Sequence, residues 1–210
     1  NKKQKGSDEQ ESEGPMTGKE KRKAGLLYDA NDNQQLVAEM LGCKDHSHQI
    51  NQLLPSNCPA KNARLRQMGI QDKGSPIVYA PFWCDFGYNI EIGENFFCNH
   101  NCVILDGARV TFGNNVFIAP NCGFYTAGHP LDAEQRNQGL EYAYPITVGN
   151  DVWICAGVQV MPGVTIGSGS VIGAGSVVTK DVPAGVVAVG NPCRAVRQIT
   201  EEDRAKYAKR

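Results

Sequence analysis

The chain has 210 residues, 21 basic against 22 acidic side chains, a formal net charge of -1 and 41% hydrophobic residues. That balance excludes a global electrostatic case for nucleic acid or an anionic membrane, so any basic site must be local. The length allows one good-sized domain, or one domain with a small appendage.

The first fourteen residues, NKKQKGSDEQESEG, carry no aliphatic or aromatic side chain, and residues 1–15 are expected to form a disordered tail. A small helical module is expected over 16–75. Asn31 or Asp32 can cap a helix carrying Leu36, Val37, Met40 and Leu41 on one face. Asn57 or Cys58, ahead of Pro59, starts a second short helix with Leu65 and Met68 inward.

Over 76–190 a different pattern takes hold. Ile92, Cys98 and Ile104 fall six residues apart, and Phe112, Ile118 and Phe124 resume the beat after an eight-residue step. Val148, Ile154, Val160, Ile166, Ile172 and Val178 continue it, with Ile146, Val152, Val158 and Val164 two residues ahead of the first four. Neither a helix nor an amphipathic strand has a period of six. A short self-similar period, with Gly149, Gly167 and Gly173 directly behind apolar positions, reads as a parallel β-helix of hexapeptides. Each hexad supplies one flat face, and three close a coil around an apolar interior. The fold class is therefore mainly β: a parallel β-helix of hexapeptide repeats with a small N-terminal α-helical module. Residues 191–210 form a C-terminal segment expected to be partly helical.

The beat breaks once, between Phe124 and Val148. Continuing it would put Pro130, Arg136 and Tyr142 inside, and the intervening TAGHPLDAEQRNQGLEYAYP is polar and poor in β-branched residues. An extruded loop of roughly 20 residues is expected there, and the chemistry with it. The eight cysteines are scattered without a CxxC; Cys98 on the beat and Cys122 two residues ahead of it read as buried thiols rather than a disulfide framework. Without a signal peptide or a run of eighteen apolar residues, a soluble cytoplasmic protein is expected, with neither nucleic acid nor membrane as partner.

Six segments carry a more specific likeness: KEKRKAGLLYDAN, CDFGYNIEIGENFF, APNCGFYTAGHPLD, PITVGNDVWI, PGVTIGSGSVIGAGSVVTKDVP and VGNPCRAVR. In this order they resemble the maltose and galactoside O-acetyltransferases of the hexapeptide-repeat superfamily, from Met16 to about Ile199. The resemblance implies a left-handed coil and a homotrimer with active sites in clefts between neighbouring coils. It further implies transfer of acetyl from acetyl-CoA to a hydroxyl of a mono- or oligosaccharide, with no metal required.

The same resemblance assigns roles. His129, in YTAGHPLD, matches the general base, and imidazole suits the removal of a hydroxyl proton near neutral pH. Glu141, twelve residues on, is the candidate for holding the imidazole, or else a solvated surface carboxylate. Asn99 matches an asparagine near both acceptor and acetyl group, or it closes a coil turn. The backbone N–H of Ala156 falls where the family donates to the thioester carbonyl. For acetyl-CoA, Trp153 can flank the pantetheine arm, and the family's contacts carry over to Ala174, Thr179 and Lys180 in GAGSVVTK. Arg194 and Arg197 in PCRAVR can grip phosphate, or pair with Glu201 or Glu202. Asp85 in CDFGYN and Asp106 are the acceptor contacts, and the CDFGYN text, closer to the maltose branch, favours maltose- or glucose-like acceptors.

Other classes differ in what they require. A metal enzyme of the γ-carbonic anhydrase kind needs three histidines at a subunit interface, and the β-helix segment offers His100 and His129. A serine or antibiotic acetyltransferase would share the coil, but the N-terminal module resembles the sugar branch. A non-catalytic trimeric scaffold would keep the fold without the reaction. Acetyl-CoA consumption in the presence of sugars separates enzyme from scaffold.

Overall fold

The computed structural model describes residues 14–31 and 33–207; the expected tail lies outside them as far as residue 13, as does Asp32. From Gln71–Asp72, ahead of residue 76, the chain winds through three parallel sheets in rotation. The first face holds Gln71–Asp72, Ile90–Ile92, Val110–Phe112, Ile146–Val148 and Thr165–Ile166. The second holds Ile77–Val78, Phe97–Cys98, Phe117–Ile118, Trp153–Ile154, Val171–Ile172 and Val186–Gly190. The third holds Phe82–Cys84, Cys102–Leu105, Gly123–Tyr125, Gln159–Val160 and Val177–Val178.

A turn of the coil takes 18 residues where hexads run uninterrupted, as Trp153 beside Val171 shows. Earlier turns take 20, as in Phe97 beside Phe117, and the two extra residues produce the eight-residue step between Ile104 and Phe112. The residues on the six-residue beat are buried throughout, from Ile92 to Val178. Each fully buried aliphatic side chain removes apolar surface worth about 1.5–3 kcal/mol. Phe96, Phe112 and Phe124 pack in series in the core with successive ring centroids 5.1 Å apart, the first pair tilted and the second edge-to-face. Cys98 and Cys122 belong to this core, all eight cysteines are free, and burial pushes the Cys122 thiol up to about 11. They act as small apolar groups.

Corners require residues with positive φ. Gly157, Gly163, Gly169 and Gly175 supply them in the later coils, and Asn95, Asn101, Asn115, Asn121 and Asp151 in the earlier ones. Asparagine tolerates this region better than most residues. Here the side chains also stack: Asn95 donates to Asn115 (2.9 Å), Asn115 to Asp151 (2.8 Å) and Asn101 to Asn121 (2.9 Å). Gly149 answers a different demand, because a Cβ there would stand 2.5 Å from Ser168 Oγ in the next coil.

In the N-terminal module, α1 (Gly18–Lys23) starts on a capping box formed by Thr17 and Glu20. The cap of α2 (Gln34–Asn51) is Asn33, whose Oδ1 accepts from the N–H groups of Gln35 and Leu36 at 3.1 and 3.2 Å. Asn31, expected in that role, instead has its own N–H donating to Asp29 Oδ1 at 2.8 Å. The buried stripe of α2 is Leu36, Cys43, Ser47 and Ile50, with spacings that follow the helix period. Leu41 does not share it: 54% exposed, it lies five residues after Leu36 and so about 140° round the helix. Asn57 caps α3 (Cys58–Gln67), which buries Leu65 and leads to buried Met68.

The extruded segment is an ordered hairpin rather than an irregular loop. Ala127–Gly128 pairs antiparallel with Leu140–Ala143, α4 (Ala133–Asn137) lies between them, and Tyr28–Asp29 adds a third strand from the N-terminal module. This pairing satisfies backbone groups that a twenty-residue excursion would otherwise leave to water. Phe117 pairs with Trp153, 36 residues on, so the chain leaves the coil and returns in register. At the C-terminus, Cys193–Gln198 runs antiparallel to Val186–Gly190, and α5 (Glu201–Ala205) follows.

Candidate active site

His129 stands just after the Ala127–Gly128 strand, where its ring Nδ1 lies 3.2 Å from the Leu140 carbonyl oxygen. With Nδ1–H donating there, Nε2 is left as the basic nitrogen. Glu141 Oε1 is 3.9 Å from Nε2, beyond hydrogen-bond distance. The direct ring contact therefore runs to a backbone carbonyl, and Glu141 stands off from the position expected of an orienting carboxylate. Glu141 is itself held, because Tyr28 Oη donates to its Oε2 at 3.2 Å. Burial, with the Glu141 charge adding, pushes the Tyr28 phenol upward and keeps it a donor.

These groups line a pocket of about 320 Å³ between the hairpin, the coil and α2. Leu36, Val37 and Met40 give it an apolar wall, and Phe86 adds an aromatic one. Asp85 lines the same pocket, with a side chain 16% exposed and Lys44 Nζ 2.8 Å from its Oδ1. Apolar walls with a few carboxylates suit a polyhydroxylated ligand, whose C–H faces pack while its hydroxyls donate. Tyr28, Lys44 and the wall of α2 had no sequence signal that tied them to His129. The Tyr28–Glu141 contact joins positions 113 apart, and Tyr28 falls on no beat.

Asp106 does not sit in the pocket as an acceptor contact would. It is completely buried, and its Oδ1 accepts from the N–H groups of Asp85 and Phe86 at 3.0 and 2.8 Å. It shapes the turn that carries Asp85. Burial pushes its carboxyl from the ordinary 3.8 up to about 6, partly opposed by those two N–H groups. The folded state thus holds this proton more tightly than the unfolded chain, so the contribution to stability is lost as pH rises from about 4 to about 6. Its size is on the order of 3 kcal/mol. Asp106→Asn, which keeps an oxygen for both N–H groups without the charge, should escape this loss. Between pH 5 and pH 8 its melting temperature should gain on wild type by about 2–6 °C. A gap unchanged between the two pH values would show that Asp106 titrates normally.

The donor candidates lie elsewhere on the coil. Asn99 and Ala156 share the corner between the second and third faces, and Ala174 follows one coil above, with Gly175 N–H donating to the Ala156 carbonyl at 2.8 Å. Asn99 Oδ1 accepts from His100 N–H at 2.8 Å, the turn-closing arrangement. Trp153 is 52% exposed on the second face. Trp153, Val171, Val187 and Arg197 stand in one register line, roughly 14 Å long at about 4.8 Å per step. Thr179 and Lys180 are exposed at the corner from which the hairpin springs, after the Val177–Val178 strand.

Arg194 and Arg197 are exposed on Cys193–Gln198. Residues three apart on a regular strand face opposite ways. Here Arg194 pairs with Val189 and Arg197 with Val187, so the extra residue Val196 forms a bulge that returns both arginines to one face. Arg197 is bonded through both terminal nitrogens, Nη1 and Nη2, each 2.7 Å from an Asp203 carboxylate oxygen; Glu201 and Glu202 are not its partners. These bonds and the Thr200 N–H hold the Asp203 carboxyl down to about 2. Arg194 Nη1 donates to the Cys193 carbonyl at 2.7 Å. Within one chain, then, His129, Glu141 and Asp85 come together, whereas Asn99, Trp153, Ala156, Ala174, Arg194 and Arg197 gather along a different edge.

Comparison with known proteins gives this arrangement a context. Residues 145–180 match the family described as bacterial transferase hexapeptide (six repeats), and residues 21–68 match the maltose acetyltransferase hexapeptide capping motif. A provisionally named acetyltransferase of Saccharomyces cerevisiae is 53% identical over 179 residues, 85% of this chain and 91% of the relative. Among solved structures, a maltose O-acetyltransferase from Clostridium difficile is 47% identical with a TM-score of 0.83, covering 88% of this chain and 98% of its own. A galactoside acetyltransferase in complex with coenzyme A is 41% identical with a TM-score of 0.87, covering 93% and 97%.

Proposed function

Because the chain belongs to the maltose and galactoside O-acetyltransferases of the hexapeptide-repeat superfamily, we propose that it transfers acetyl from acetyl-CoA to a hydroxyl of a mono- or oligosaccharide. Maltose- and glucose-like acceptors are favoured. The observation that carries this reading is the pocket that gathers His129, Glu141 and Asp85 against an apolar wall. The coenzyme A bound in the galactoside enzyme supports the donor.

In this mechanism His129 Nε2 takes the proton from a sugar hydroxyl as its oxygen attacks the thioester carbonyl carbon. The C–S bond then breaks, and the thiolate leaves with the proton that the imidazolium returns. Asp85 accepts hydrogen bonds from neighbouring sugar hydroxyls, and the Ala156 N–H with Asn99 steadies the developing oxyanion. Trp153, Ala174, Thr179 and Lys180 flank the donor, and Arg194 and Arg197 meet its phosphates. The acceptor pocket is built jointly by the N-terminal module, the coil turn at Asp85 and the hairpin, and the coil edge serves the donor.

Acceptor-dependent thiol release from acetyl-CoA, compared across glucose, maltose, galactosides, chito-oligosaccharides and serine, tests the reaction. Release with a sugar and not with serine is the expected result; no release with any sugar would overturn it. His129 and the Ala156 corner are apart in one chain, which supports a site shared between neighbouring copies, and the family resemblance implies that these copies form a homotrimer. Light scattering should give a mass near three times 22.8 kDa. A fully active monomer would rule out a shared site.

A further inference from the structure

A second cleft, of about 430 Å³, opens between α1 and the coil and shares Gly107 with the acceptor pocket. Among the described residues its lining includes four cationic side chains, Lys19, Arg22, Lys23 and Arg109, and no carboxylate. Two of these are matched nearby: Lys19 by Glu39 at 3.0 Å and Arg109 by Glu91 at 2.6 Å. Lys23 is exposed, with no ion pair among the described residues.

Arg22 is the unusual member. Its residue is 4% exposed, and its guanidinium carbon lies 4.2 Å from the centre of the Phe86 ring. Nη2 donates to Tyr88 Oη at 2.7 Å, while Nη1 is buried with no hydrogen-bond partner among the described residues. Tyr88 Oη in turn donates a hydrogen bond to Glu39 at 2.7 Å, the same carboxylate that Lys19 uses. A desolvated guanidinium is normally met by a carboxylate or by a full set of acceptors. Here it has a phenol, a ring face and one relayed charge. The cleft thus holds four positive charges against two negative ones at its margin.

We infer that this cleft binds a saccharide carrying an oxyanion, a phosphate or carboxylate. Arg22, Lys23 and Arg109 meet the charge, and Tyr88 and Tyr144 flank the ring. Arg22 Nη1 is itself buried, so the guanidinium acts on the oxyanion through its undercompensated charge from the cleft wall. The acceptor pocket contains Asp85 and Glu141 and disfavours such a group, so the cleft and the pocket divide charged from neutral sugar units. The choice of a saccharide rests on the carbohydrate-acceptor reading above.

Calorimetry with glucose 6-phosphate, glucuronate, glucose and inorganic phosphate, in the absence of acetyl-CoA, tests the site. The two anionic sugars should bind at least about 10-fold more tightly than glucose, with a salt-dependent affinity. The exposed double variant Lys23→Glu/Arg109→Glu should lose about 10- to 100-fold of that affinity while acetyl transfer to a neutral sugar stays within about twofold. Arg22→Met removes the buried unpaired charge, and should keep or raise the melting temperature while losing the same affinity. Equal affinity for glucose and glucose 6-phosphate would overturn the proposal. So would inorganic phosphate binding as tightly as the sugar phosphate, or anion affinity that falls in Arg194→Ala/Arg197→Ala and not in the Lys23/Arg109 variant. Anionic sugars that bind through Lys23 and Arg109 in a protein that acetylates no sugar would sustain this site and refute only the proposed reaction.

Discussion

Replacing His129 by Ala should lower kcat by about 10²- to 10⁴-fold while the KM values and the melting temperature stay close to wild type. A sugar hydroxyl is a poor nucleophile until its proton leaves, so the base acts in the transition state rather than in binding. Structural damage should be slight. The His129 side chain is 54% exposed, and among the described residues its ring makes one hydrogen bond, to the Leu140 carbonyl. Losses from such surface positions are usually within about 0.5 kcal/mol. Glu141→Gln should cost less than His129→Ala, since Gln still accepts from Tyr28 and the ring keeps its backbone contact. If His129→Ala kept more than about half of the wild-type kcat in a protein of unchanged melting temperature, another group must remove the proton.

The second large effect concerns the donor. Arg194→Ala/Arg197→Ala should raise the KM for acetyl-CoA by about 10- to 150-fold for each guanidinium that meets a phosphate, with a much smaller change in the acceptor KM. The bulge at Val196 equips the pair as a grip, because it puts both side chains on one face. Arg197 must exchange Asp203 for phosphate, but their bridge is solvent-exposed and such bridges are worth little. Asp203→Asn should therefore move the KM for acetyl-CoA in the opposite direction, downward. Equal KM values for acetyl-CoA and acetyl-pantetheine in the wild-type enzyme would show that no phosphate grip exists.

How much of this was legible in the sequence differs by residue. The beat from Ile92 to Val178 could be read because every hexad turns one side chain to the axis, so burial repeats with the chain. Gly149, Gly167 and Gly173, directly behind apolar beat positions, could be read for the same reason. The asparagine corners could not, since Asn95 or Asn115 resembles any polar loop residue until its ladder partner is known. In α2, four apolar residues within six positions suggested a face, and only the coil beneath decides that Leu36 is inside and Leu41 outside. Asp106 misled for a deeper reason. A carboxylate in a hydroxyl-binding neighbourhood looks like a ligand contact, and its burial under two backbone N–H groups follows from tertiary structure alone. Tyr28 was invisible because its partner is 113 residues away.

The hairpin leaves at Tyr125 and rejoins at Ile146 without disturbing the ladder, since Gly123 still pairs with Gln159 and Val110 with Ile146. Its length and composition are therefore under no constraint from the stack that carries it. Variation can rewrite the recognition of one substrate like an interchangeable cartridge, while the recognition of the other stays bound to the repeat and must change, if at all, in step with the whole solenoid.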